Sequence, residues 1–256
     1  MRPVHALLAL CVLAVPLTGC SDGPPPKPGA SATRSVAPQE PRAQLAGLVA
    51  AALDHRYTAS YTYTPKGGPA RKVDVALGVD GTWRIDIPNG ALGGTANISM
   101  VGTKDAVHQC GVAPAPGTAS PAPATPGPVT CVKLAAPVPA KYDVRVQHLF
   151  TDWLAPLTSR SAALSVATAK FDAPGSCFSV ESTSASIAAP VDPGTYCFAT
   201  DGVLTGARIS AGTLVLLGAA AAPPATVPLP GPVTAGPPLQ LAALPPAPTP
   251  TPTKKP

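Results

Sequence analysis

Cys110, Cys131, Cys177 and Cys197 form two pairs, each spaced about twenty residues apart. Four thiols allow three disulfide pairings. The short loops favour Cys110–Cys131 and Cys177–Cys197, each closure contributing roughly 3 kcal/mol in the chain-entropy model. A zinc site would need a C-x₂₋₄-C knuckle or paired histidines, and neither occurs, so no metal and no cofactor is expected. His55, His108 and His148 stand alone in sequence, outside any H-E-x-x-H or related ligand spacing. No G-x-S-x-G elbow or S-x-x-K motif is present. Glutamate occurs only at Glu40 and Glu181, which leaves no pair for acid–base hydrolysis. Asp80, Asp192 and Asp201 sit beside Gly or Pro and read as turn formers. The chain is therefore read as a non-enzyme, with no catalytic residues.

The elements that position these residues follow from periodicity. Leu45, Leu48, Val49, Ala52 and Leu53 recur at helical spacing, predicting an amphipathic helix over 42–55. Tyr57, Ala59, Tyr61 and Tyr63 then alternate with hydroxyl residues, which is strand spacing. Val73, Val75, Leu77 and Val79 alternate likewise, and Asp80-Gly81 turns the chain into Trp83, Ile85 and Ile87. Further strands are predicted over 95–101, 106–110 and 131–134. Lys141 to Pro156 returns to helical spacing, with Tyr142, Val146, Leu149, Phe150, Trp153 and Leu154 on one stripe and Arg145, Gln147 and Asp152 away from it. Strands resume over 163–170, 176–181, 194–200 and 203–209, and two closing strands are expected over 213–217 and 225–229.

Composition marks what lies outside this core. Pro 36 and Gly 23 of 256 residues are together nearly twice the usual ~12%. They concentrate at the two ends and in a Pro-rich loop over 111–130. Residues 1–19 have a basic start and an eleven-residue apolar run, Ala6 to Pro16, too short for a mature membrane span. This is the layout of a secretory signal peptide. Residues 20–41 read as a disordered tether, 42–230 as one folded domain and 231–256 as a disordered Pro-rich tail. The basic residues are scattered, so no nucleic-acid partner is expected.

Leu17-Thr18-Gly19-Cys20 resembles a bacterial lipobox, whose cysteine becomes the first residue of the mature protein. The resemblance implies a diacylglycerol thioether on Cys20, usually with a further acyl chain on its amine. It also implies a protein anchored to the outer face of the cell membrane. Two or more acyl chains hold stably where one does not.

The opening helix running into Tyr57 to Thr64, the segment Asp80-Gly-Thr-Trp-Arg-Ile-Asp-Ile87 and the turn Asp201-Gly-Val-Leu-Thr205 carry a second, architectural likeness. They resemble the LolA-like lipoprotein-carrier fold, which includes the lipid-binding lipoproteins of mycobacteria. The resemblance implies an α+β, β-rich domain: a curved antiparallel sheet forming an open half-barrel, covered by two amphipathic helices over an apolar cavity for acyl chains. On that reading Tyr57, Ala59, Tyr61, Trp83, Phe150 and Trp153 wall a lipid cavity. The alternative is a structural or signalling lipoprotein with a filled core that binds an envelope protein or the cell wall. The Pro-rich loop, the two disulfides and the long tail depart from the family's pattern.

Overall fold

The computed structural model describes residues 40–111, 128–184 and 188–242. The signal peptide, Cys20, almost all of the tether, the body of the Pro-rich loop and the last fourteen residues lie outside them.

The first helix, α1, spans Pro41–Asp54 and buries Leu45, Val49 and Ala52. Pro41 suits its first turn, where a missing N–H removes no helical bond. Six strands follow: β1 (Thr58–Pro65), β2 (Arg71–Leu77), β3 (Trp83–Ala91), β4 (Ala96–Gly102), β5 (Val107–Gly111) and β6 (Thr130–Lys133). A linker carries a 3₁₀ helix (Arg145–Phe150) and a short α2 (Leu154–Thr158). The chain then forms β7 (Leu164–Thr168), β8 (Ser176–Ser182), β9 (Gly194–Phe198), β10 (Leu204–Ile209) and β11 (Gly212–Ala221).

All eleven strands join one antiparallel sheet in the order β6-β5-β4-β3-β2-β1-β11-β10-β9-β8-β7. Two meanders meet where β1 pairs with β11, for example Tyr61 opposite Leu216. The sheet is not closed, since β6 and β7 are its two edges. Alternation is kept as the sequence predicts: Tyr57, Ala59, Tyr61 and Tyr63 are all buried, and so are Val73, Val75 and Leu77. They share one buried cluster with α1 and with Val146, Leu149, Phe150 and Trp153 of the linker. Both expected disulfides form, each between residues directly opposite on neighbouring strands.

Two loop contacts fix the frame. Gly202 (φ 87°) lies so close to α1 that a Cβ there would stand 2.3 Å from the Ala52 nitrogen. The Arg42 guanidinium donates to the carbonyl oxygens of Ser159 (2.7 Å), Ala162 (2.8 Å) and Leu164, tying α1 to the chain between α2 and β7.

Three expectations are corrected. The helix predicted over 141–156 is broken into the 3₁₀ turn and α2. Pro156 is the reason: inside a continuous helix its ring would strike the carbonyl four residues back, whereas in the first turn of α2 its missing N–H is harmless. Residues 225–229 form no strand. Instead the Pro224 and Ala225 carbonyls accept from Val79 and Asp80, and the Val227 N–H donates to Thr82 Oγ1 at 2.7 Å.

Nor are residues 231–242 a disordered tail; they continue this segment as a strap around the first meander. Cys131 of edge strand β6 donates to Pro232 (2.9 Å) and accepts from Thr234 (2.8 Å). Farther on, Gln109 clasps Leu239 through both amide atoms, and the Leu92 and Gly93 N–H groups donate to Gln240 and Leu241. Proline removes only donors, so a Pro-rich chain still offers carbonyls to any strand end with free N–H groups.

Candidate functional site

Of the residues expected to wall a cavity, Tyr57, Ala59 and Tyr61 are buried and packed in the core cluster. Tyr61 meets Phe150 edge to face, ring centres 5.2 Å apart, and donates to the Leu204 carbonyl at 2.9 Å. Tyr57 is 3.3 Å from the Tyr61 hydroxyl. Burial raises the pKa of both phenols, so they stay neutral. Ala59 borders an outer depression whose walls include Ser60, Asp74 and Asp86. Tyr57, Ala59, Tyr61 and the bulk of Phe150 therefore belong to the packed core.

Open space lies to the side, and the two tryptophans border it. Trp83 and Trp153 both line a groove of about 800 Å³ that lies between the β5–β6 side of the meander and the linker. Val107, Leu134, Pro137 and Val138 complete its apolar walls. Trp83 and Thr151 also border a neighbouring pocket of about 180 Å³ that reaches Phe150, Leu77 and Leu154. Trp83 holds its place because its register partner is Gly102: a Cβ at residue 102 would stand 2.1 Å from the indole nitrogen. The bare glycine lets the ring lie against the next strand.

The groove has a charged rim. His148 sits between two carboxylates, with Nε2 2.6 Å from Asp143 Oδ1 and Nδ1 2.6 Å from Asp152 Oδ1. Burial opposes its charge, but both hydrogen bonds and both carboxylate charges outweigh burial and raise its pKa to about 9. Burial likewise opposes ionisation of Asp152, yet bonds from His148 and Thr151 hold its pKa below the ordinary value. A protonated imidazole with both nitrogens bound to carboxylates has no lone pair with which to take a proton at neutral pH. What it can do is fix the wall: His148 stacks on Trp153 with ring centres 5.0 Å apart, and the Arg145 guanidinium lies 4.9 Å from the same indole ring. Arg145 also faces Asp143 (3.7 Å) and Asp192 (3.6 Å).

Sequence reasoning missed this cluster. His148 reads as solitary because Asp143 precedes it by five residues, but the i, i+4 spacing to Asp152 was a usable signal. Asp192 is more than a turn former: it is buried, and Ser210 donates to it from the far end of β10. Gln147, expected on the solvent side, is 3% exposed. Among the described residues no group of three or more His, Cys, Asp or Glu side chains is placed to hold a metal ion. No family model matches this chain, and no curated protein matches it as a relative.

Proposed function

We propose that this protein is a non-enzymatic, lipid-anchored binding protein of the cell envelope, held to the membrane's outer face through acylated Cys20. In this reading the sheet is the open half-barrel of a LolA-like carrier, and an apolar-tailed molecule is held in the Trp83–Trp153 groove. The observation that carries the proposal is the pairing of both tryptophans on one apolar groove of about 800 Å³. That volume falls in the ~300–1,000 Å³ range typical of small-molecule sites. The locked state of His148 supports binding over catalysis, because the groove's imidazole has no free lone pair.

The packed tyrosines favour a second reading, a structural or signalling lipoprotein that engages an envelope protein. Organic extraction and native mass spectrometry of the purified protein separate the two. A co-purifying acyl-chain molecule, lost in Trp153→Ala, supports the carrier. A clean apo mass, together with no uptake of added lipid, sinks it.

A further inference from the structure

The groove's charges are balanced within its own walls. Asp105, Asp143 and Asp152 line it, and so do Lys133, Arg145 and His148. His148 is held protonated between two carboxylates, and Arg145 faces Asp143 and Asp192. Only Asp105 and Lys133, both exposed, make no ion pair among the described residues, and they are of opposite sign. Along the Trp153 wall a charged headgroup of either sign meets a countercharge that is already engaged, with a like charge beside it. Lys133 and Asp105 are free but exposed, where an ion pair contributes little. Such a headgroup would give up its hydration for little return.

What the walls leave unmet is neutral. Gln147 lines the groove and is buried; its Nε2 donates to Asp143 Oδ1 at 3.4 Å, while its Oε1 has no partner. The amide cannot be turned over, because its oxygen would then face the Asp143 carboxylate. A buried carbonyl without a donor is unfavourable, and a neutral donor such as a hydroxyl satisfies it. The oxygen is covered in the free protein, so a guest's hydroxyl reaches it only as the groove opens around the guest.

We propose that the groove selects a neutral, hydroxyl-bearing amphiphile over an anionic phospholipid. The apolar chain lies against Trp83 and Trp153, and a hydroxyl donates to Gln147 Oε1. This rests on the binding reading above and adds the chemistry of the headgroup.

The chain has two tryptophans and both border the groove, so tryptophan emission reports occupancy directly. The test uses purified Cys20→Ser protein titrated with monomyristoylglycerol, with its bis-methyl ether and with myristoyl lysophosphatidylglycerol, all below micelle formation. We expect monomyristoylglycerol to bind at least about tenfold tighter than either of the others. In Gln147→Leu the advantage over the ether should shrink to about threefold or less, through weaker binding of monomyristoylglycerol. The ether comparison needs only the unchanged groove, so it stands even if Gln147→Leu fails to fold. Equal or tighter binding of the anionic lipid, or of the ether, overturns the headgroup assignment and leaves the carrier reading intact. No emission change and no mass shift with any of the three overturns both.

Discussion

Trp83 depends on the absence of a side chain across from it. Gly102→Ala would drive a methyl into the indole and push the ring off its strand. Its overpacking cost is about 1–3 kcal/mol. We expect lower acyl-probe affinity and red-shifted tryptophan emission; an unchanged spectrum would refute the placement of Trp83. His148 yields a pH prediction. Its folded pKa of about 9 lies above the ordinary 6.5. Its contribution is therefore fully present below about pH 6.5, where the unfolded chain is protonated too, and is lost as pH rises through about 9. In His148→Gln the decline in melting temperature across that window should flatten. Identical slopes in both proteins would show that the two aspartates do not hold the ring.

At the scale of elements, the turn between β9 and β10 seats against the last turn of α1. Gly202 has a left-handed φ and no room for a Cβ. The backbone conformation alone costs an L-residue about 1–2 kcal/mol, and the Ala51–Ala52 backbone cannot yield as a flexible side chain would. Gly202→Ala should therefore lower the melting temperature by several degrees, about 2–4 °C for each kcal/mol in a chain this size. A Tm within one degree of wild type would show that the turn does not rest on α1. The disulfides act on the same scale but chiefly through the unfolded chain. Replacing Cys177 and Cys197 together by Ser should cost about 3 kcal/mol in denaturant unfolding with the strand pairing intact.

The open sheet exposes the whole molecule to edge pairing, since an unpaired strand edge is a template for another chain. The strap masks β6 through Pro232 and Thr234, and Gly231 passes so close to Val129 that a Cβ would meet its carbonyl at 2.1 Å. Removing residues 231–256 should uncover β6 and produce self-association detectable by sedimentation, together with a lower Tm. A monomer of unchanged stability would show the strap to be dispensable. For the intact protein, detergent-phase partitioning that is lost in Cys20→Ser is the expected mark of the anchor, and a mature N-terminus elsewhere would remove it.

The strands, α1 and both disulfides were legible in the sequence because they are written in local terms. Period-2 alternation from Tyr57 through Ile87, Asp-Gly at the turns and two short cysteine loops each carry their structural meaning within a few residues. The α+β, β-rich class follows from them. The broken linker helix was half legible, since Pro156 was visible but where the helix must break ahead of it was not. The strap and the groove were not legible, and of the His148 cluster only the i, i+4 pair with Asp152 was. The strap's hydrogen bonds come from backbone carbonyls, which every residue has, so its Pro-rich sequence looks the same whether it is free or bound. Periodicity marks a face as apolar without saying whether its side chains meet. The packing of Tyr61 against Phe150, and the gap left between Trp83 and Trp153, were decided only when the linker settled on the sheet.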